Sequence, residues 1–548
     1  MNPIAAPKTL RYEPDAGLPV AIEAKSNRRY FYPTNGDKFG PDQTNVIRMT
    51  LNSNSFIDFS HSYLQFTVKN TSGDNLAVDS GMPFFNRLQI MSGGQELEDI
   101  QEWGRLYSIL QSVQGSRLTC DEHSLTQHEP FASVSADSAI ATTDVAASAI
   151  VAGDVKNDAG ATIAATDIDD TAVVATVNQA ITNGINTGLA TLRTNVNTAT
   201  ADIVDTKVRN ALNAQTTSDI APYQFNAATQ VSGVAPAGGA SITYNIPILS
   251  AFFNIEKYFP LLLTEQGLDL YFYCEQPANV GVWADAVADI KYEISSVRYV
   301  AHEVNLDDAF VNQMKASMQA TGGVLSLSST TYRHNQITGV GALDSAVDDD
   351  LNISCRVKSL KGMLIRPQPQ CINNDKDRFC ISVGQSCGFK EGQFRIGSVL
   401  YPQSSIKFTE ENPGELFNEI RKCFGTVGSY AHGSKLNSQT FRPMENTDTS
   451  TAAAYHKGKG LAPGNVRSNF LIAYDFETFA KSATESGLNV ADRALPVSFN
   501  YKSDAVSTGV KKINGTDNED NQKIRYDTFA MCDCIIYIDL MGKITTRI

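Results

Sequence analysis

Apolar and polar residues alternate through most of this chain. In "VIRMTL", Ile47, Met49 and Leu51 are separated by Arg48 and Thr50, and in "SYLQFTVKN", Leu64, Phe66 and Val68 are separated by Gln65 and Thr67. A period of two places one row of side chains on a core and the other in water, which predicts half-buried strands. In "NRLQIMSGGQELEDI" a strand carrying Leu88 and Ile90 runs into Gly93-Gly94, a hairpin signal. The same alternation recurs in "SITYNIPI", "LDLYFYCE" and "IKYEISSVRYVAHEVNL", and "APYQFN" reads as a further strand. It returns in "VLSLSSTTYRH", "LNISCRVKSLKGMLIRP", "RFCISVG", "FRIGSVLYP" and "SSIKFTE". The last strands are "NFLIAYDF", "LPVSFNYKS" and "YDTFAMCDCIIYIDLMG", where Ala530, Cys532, Cys534, Ile536, Ile538 and Leu540 form one apolar row.

Helical spacing is confined to short stretches. Trp103, Leu106, Tyr107 and Leu110 share a helix face in "QEWGRLYSILQSV". "DDAFVNQMKASMQATGG" has Asp307 or Asp308 as N-cap and Gly322-Gly323 as its stop, and "PGELFNEIRKCFG" has Pro413 in its first turn. Residues 1–40 show no period and read as an extended arm, and residues 431–467 read as a long polar loop.

Composition changes abruptly near residue 131. From Ala132 to about Pro222 the chain is rich in Ala, Thr, Asp, Val and Asn and has no aromatic residue. Val174, Val177, Ile181, Ile185, Leu189, Leu192, Val196, Ala199 and Ile203 recur there at steps of three and four, close to a heptad stripe. Thr and Asn between them are mediocre helix formers. A flexible loop or plain surface helix, an oligomeric helical stalk, and a fibre-like β segment all fit.

The chain thus reads strands, short helix, insertion and strands, then a bridging helix over 306–323, then strands, short helix, long loop and strands. A short word echoes between the halves. "TEQGLDL" at 264–270 and "TESGLNV" at 484–490 share Thr264 with Thr484, Glu265 with Glu485, Gly267 with Gly487 and Leu268 with Leu488. The paired glycines suggest a turn that needs a permissive backbone before a strand. Two halves in matched order predict an all-β protein of two tandem eight-stranded jelly rolls, over 41–305 and 324–548, with short helices and the 131–222 insertion in the first roll.

The layout resembles the double jelly-roll major capsid proteins of icosahedral double-stranded DNA viruses, a lineage that includes adenovirus, tectiviruses and virophages. It is most similar to those of virophages and Polinton-like viruses. "RMTLNSNSFIDFSHSYLQFTVKN", "FFNRLQIMSGGQELEDI" and "SGLNV" with its closing strand carry the resemblance. It implies a homotrimer with a pseudo-hexagonal base, set in a virion shell among neighbouring capsomers, penton and minor capsid proteins. It further implies that the insertion is a tower able to meet a host receptor, and that the arm runs beneath the shell towards neighbours or an inner membrane.

The bulk numbers constrain other readings. A length of 548 residues suits several domains rather than one core. The net charge of -14 and the scattered Lys and Arg predict no specific nucleic-acid binding. The start lacks a basic, then apolar, secretory pattern, and no apolar run approaches the length of a membrane helix. Nine cysteines at spacings such as Cys371, Cys380 and Cys387 fit no common zinc pattern. They predict buried, reduced thiols in a chain made in a reducing compartment.

Candidate chemistry is sparse. His123 and His128 are five apart in a polar loop, unlike a zinc-binding i, i+4 pair. "TDIDDTA" and "TDNEDNQ" lack the ligand spacing of a calcium loop. Neither a nucleophile elbow nor a phosphate-binding glycine loop occurs, so no catalytic, cofactor or metal residue is assigned and the chain is not expected to be an enzyme. Trp103 reads as core, whereas Trp283 in "NVGVWADAV" is the better exposed aromatic. Two other functions remain open: a jelly-roll carbohydrate- or receptor-binding viral spike using Trp283, and a β-rich hydrolase, for which no acid pair is identified.

Overall fold

The structure, a computed structural model, describes residues 24–114, 231–232, 241–370, 380–424 and 469–548, together with Thr126, Leu436 and Phe441. Within these ranges 73–74, 79–81, 256, 284–289, 321, 341–344, 383, 385, 409–411, 478–486, 492–495 and 505–522 are not described. The chain divides into two compact units, Met1–Ala132 with Tyr223–Ile548, and Ser133–Pro222. The second unit lies wholly outside the described residues, as do "APYQFN" and all of the 431–467 stretch except Leu436 and Phe441.

The first unit holds two sandwiches. The main strands of the first are β1 (Ala24–Phe31), β3 (Val46–Leu51), β4 (Phe56–Asn70), β6 (Phe85–Ser92), β7 (Gln95–Ile100), β9 (Ser241–Ile246) with β10 (Phe259–Pro260), β11 (Leu268–Cys274) and β13 (Tyr292–Leu306). Short strands β2 (Lys38–Phe39), β5 (Asn75–Ala77), β8 (Val231–Ser232) and β12 (Val282–Trp283) are accessory. The second sandwich has β14 (Val324–Val340), β15 (Val347–Ile353), β16 (Leu360–Pro369), β17 (Phe389–Ile396), β18 (Val399–Lys407), β19 (Ile472–Asp475), β20 (Val497–Ser503) and β21 (Ile524–Asp539), with β22 (Ile544–Arg547) added to β21. Helix α1 (Trp103–Gln114) follows β7, α2 (Asp308–Ala320) joins the sandwiches, and α3 (Gly414–Cys423) follows β18.

Counting the main strands of each sandwich from one to eight gives the same result twice. In the first, the sheet orders are β1-β13-β4-β10 and β3-β11-β6-β7; in the second, β14-β21-β16-β19 and β15-β20-β17-β18. Both read one-eight-three-six and two-seven-four-five, the order of a jelly roll, and every pairing is antiparallel. The chain is therefore a double jelly roll.

Alternation produced these elements for the expected reason. Strand β3 buries Ile47, Met49 and Leu51, and β11 buries Leu268, Leu270 and Phe272. Phe66 packs on Phe84, Phe85 and Tyr244 in the first core, and Phe394 on Phe476 and Phe499 in the second. Such edge-on, tilted and stacked pairs add to simple burial. Gly93 and Gly94, at φ +58° and +79°, form the β6–β7 turn.

Four readings need correction or refinement. The stretch read as an aperiodic arm contains β1, which pairs along its whole length with β13. Seven of its eight residues are exposed, so it has no buried row to write into the sequence. In "RFCISVG", whose Arg378, Phe379 and Val383 lie outside the described residues, 380–382 form a turn rather than a strand, and the carbonyls of Cys380 and Ile381 face two buried arginines. "FRIGSVLYP" is broken at Gly397, φ +62°, into the β17–β18 hairpin. Leu540 lies beyond the end of β21 and is 50% exposed, outside the buried row.

The echo has two different causes. Gly267 sits at φ +67°, and a Cβ there would lie 2.2 Å from the Leu51 carbonyl oxygen. Leu268 then opens β11 against Leu51. Gly487 instead lies against strand β16, where a Cβ would meet the Leu360 carbonyl at 2.7 Å, and Leu488 bridges Leu360. Strand β20 begins only at Val497. The words match, but the positions are not equivalent.

Candidate functional site at the junction of the two sandwiches

Among the described residues, a buried concentration of charge lies where the sandwiches meet. It starts with α1, whose Trp103 face packs into the first core against Phe85 and Phe272. Trp103 is fully buried, and its Nε1 donates to the Leu249 carbonyl at 2.8 Å. Anchoring that face directs Arg105 towards the second sandwich.

Arg105 is buried among partners from three segments. Its Nε donates to Glu102 at 2.9 Å, and its Nη1 donates to Gln368 at 2.7 Å and to the Cys380 carbonyl at 3.0 Å. The Asp527 carboxylate is 3.6 Å away. Asp527, fully buried on β21, also accepts from Arg525 Nε at 2.9 Å and lies 3.1 Å from His334 Nε2. Arg525 returns to the first sandwich through Glu102 at 3.1 Å.

Electrostatics follow from this geometry. Burial alone would push the Asp527 carboxyl up, but Arg105, His334 and Arg525 outweigh it and hold the group well below the usual carboxylate range. Burial likewise opposes charge on Arg105, yet Asp527 and Glu102 raise its pKa above the ordinary arginine value. A buried ion pair of this kind is costly to break from one side, because the remaining charge is left in a low dielectric.

A second contact lies along β7. Glu98 is 3% exposed, and its carboxylate accepts from the Ala251 amide at 3.0 and 3.1 Å and from the Thr331 hydroxyl of β14. Burial pushes its carboxyl up, only partly offset by those hydrogen bonds. Nearby, Thr546 Oγ1 of β22 donates to the Leu97 carbonyl at 2.8 Å, and the Glu265 amide donates to the Gly542 carbonyl at 3.2 Å. The fifth strand of the first sandwich thus packs on the first strand of the second.

The residues singled out from sequence are distributed elsewhere. Trp103 is core, as expected, while the Trp283 side chain, His123, His128, "TDIDDTA" and "TDNEDNQ" lie outside the described residues. Seven cysteines, among them Cys274, Cys355, Cys532 and Cys534, are buried and unpaired by disulfides; Cys120 and Cys371 are not described. Burial pushes the Cys274 thiol up to about 12 and Cys355 to about 11, which keeps both protonated and unreactive at neutral pH. Among the described residues no cluster of His, Cys, Asp and Glu is arranged to hold a metal ion, and no helix is long and apolar enough to cross a membrane.

Sequence reasoning missed the junction itself. Its signal was present in "IRYDTFAMCD", where Arg525, Asp527 and Asp533 share with Phe529 and Met531 the row opposite the apolar one. A strand buried on both faces that still carries charge asks for partners of opposite sign.

No protein-family profile matches the chain, and no curated protein does. Solved structures do. VP54 of PBCV-1, in a crystal structure fitted into a reconstruction of the virophage Sputnik, is similar over 97% of this chain and 98% of its own, with a TM-score of 0.50 at 8% identity. A chain of the Sputnik virophage matches over 100% and 93%, with a TM-score of 0.49 at 9% identity. The Faustovirus major capsid protein matches over 96% and 93%, with a TM-score of 0.48 at 8% identity. The first of these likenesses is to the fold, and it agrees with the double jelly-roll strand order.

Proposed function

We propose that this chain is a viral major capsid protein that assembles as trimeric, pseudo-hexagonal capsomers into an icosahedral shell. The observation that carries the reading is the strand order repeated twice in one chain, together with similarity to PBCV-1 VP54 along nearly the full length of both proteins. Mechanism here means geometry. Three copies of a two-sandwich chain present six similar blocks, so a threefold particle can pack as a hexagon. The buried junction supports this reading because it fixes one sandwich against the other, as a rigid tile requires. On this reading the chain performs no catalysis.

The parts take roles accordingly. Residues 24–305, beginning with β1, and 324–548 form the two rolls, 306–323 bridges them, and 131–222 is the tower, where a host receptor would bind. The stretch before the first roll runs beneath the shell towards minor capsid proteins or an inner membrane. Neighbouring capsomers and penton proteins complete the virion. Negative-stain electron microscopy of the purified chain tests the proposal: particles with threefold symmetry and a six-sided outline are expected, and separate two-lobed monomers would refute it.

A further inference from the structure

In the second sandwich one lysine stands between two carboxylates on neighbouring strands. Lys361 lies on β16 at a shift in register: Leu360 pairs with Cys532 of β21 and Gly362 with Met531, so Lys361 is the extra residue of a bulge. A bulge re-aims a side chain out of the regular alternation. Lys361 Nζ lies 3.1 Å from Glu477 Oε1 and 3.6 Å from Asp533 Oδ1 of β21.

The backbone sets all three groups. The Phe476 amide donates to the Lys361 carbonyl at 2.7 Å, which brings the next residue, Glu477, alongside. The Asp533 amide donates to the Ser359 carbonyl at 3.2 Å, and Ser359 Oγ donates to Asp533 Oδ2 at 2.5 Å. One carboxylate oxygen of Asp533 therefore rests on a hydroxyl while the other faces the amine. Little water reaches them: the Lys361 and Glu477 side chains are each 13% exposed and that of Asp533 is 5% exposed. Burial pushes the neighbouring Asp475 carboxyl up, and Glu477 and Glu419 add to that push, so protonated acid is favoured in this part of the sandwich. An ion pair of this geometry is also a pair of reactants, close to the roughly 3–3.5 Å from which oriented groups combine.

We infer that Lys361 and Asp533 condense into an amide, an isopeptide bond that ties β16 covalently to β21, with Glu477 as the proton carrier. Glu477 takes a proton from the Lys361 ammonium, and the freed lone pair attacks Asp533 Cγ. The Ser359 hydroxyl meets the negative charge that develops on Oδ2. Glu477 delivers its proton to Oδ1, then carries a second one there from the attacking nitrogen. The Cγ–Oδ1 bond breaks and one water leaves. The nitrogen keeps one hydrogen, Oδ2 becomes the amide oxygen, and Glu477 ends as it began. The reaction consumes no oxidant or cofactor. It removes one positive and one negative charge from the interior, where each is costly to keep. The bond forms within a single folded chain and does not depend on the capsid reading.

Intact-mass spectrometry of the purified full chain, first shown to unfold cooperatively, tests it. The mass is expected to fall below the sequence mass by one water. Proteolysis and tandem spectrometry of the same sample should yield a branched peptide joining Lys361 to Asp533. Lys361→Arg keeps the charge but lacks the amine, and Glu477→Gln lacks the proton carrier; both should show their full sequence masses. A wild-type chain at full mass, or a water loss that maps elsewhere or persists in Lys361→Arg, overturns the inference and leaves the capsid reading standing. A water loss that persists in Glu477→Gln overturns the role given to Glu477. The branched peptide is read on the wild-type chain, so the result stands even where a variant fails to fold.

Discussion

Arg105 of α1 and Asp527 of β21 lie 3.6 Å apart with both side chains buried, one from each sandwich. Arg105→Ala removes a cation and leaves Asp527 in the interior with fewer partners. Loss of one member of a buried pair costs about 3–5 kcal/mol. Urea unfolding followed by fluorescence should show the midpoint falling accordingly; an unchanged midpoint would mean that the pair contributes nothing to joining the sandwiches.

The two buried acids of the junction predict opposite pH trends. The folded pKa of Asp527 is depressed, so its contribution is present above the ordinary value of 3.8 and lost as pH falls through the folded value. Asp527→Asn should therefore be most damaging near neutrality and progressively less so in acid. The folded pKa of Glu98 is raised, so its contribution is present in acid and lost as pH rises through the folded value. Glu98→Gln should compare better with wild type at pH 8 than at pH 4. Thermal midpoints of the Glu98 variant between pH 4 and pH 8, and of the Asp527 variant from neutrality down to below the ordinary value of 3.8, check the signs, and curves parallel to wild type would contradict them.

Glycine substitutions separate backbone strain from collision. Gly94, at φ +79°, has open space around a built Cβ. Gly94→Ala should cost about 1–2 kcal/mol, the penalty of a left-handed L residue. Gly267→Ala pays that same penalty and drives its Cβ against the Leu51 carbonyl. Its loss in denaturant titration should be clearly larger, and equal losses would refute the close approach.

Trp103→Ala empties a site that the first core fills completely and strands the Leu249 carbonyl. A loss of about 3–5 kcal/mol is expected, typical of a buried Trp truncation. Because α1 also carries Arg105, the double variant Trp103→Ala with Arg105→Ala should cost less than the sum of the singles. A strictly additive cycle would show that the helix does not link core to junction.

Much of this fold could be read from the chain. Strands with one wet and one dry face, such as β3 and β11, announce themselves by alternation, and the Gly93-Gly94 turn by its backbone demand. Strands outside that regime did not. β1 is wet on both faces, so it looked like an arm, while β21 is dry on both faces along much of its length, so its Arg525 and Asp527 were not recognised as partners. The turn at 380–382 is apolar enough to mimic a strand, and the distant Arg105, Arg366 and Gln368 fix its carbonyls. The Gly267 and Gly487 echo drew attention to the doubled architecture through positions that the fold does not superpose. The charges on β21 could be seen in the sequence, but which distant groups answer them had no local signature.

The most direct test of a capsomer-forming chain is its mass in solution. Sedimentation equilibrium of the full chain at micromolar concentration should give three times 59.4 kDa, unchanged on dilution across that range. A single species at 59.4 kDa would contradict the account.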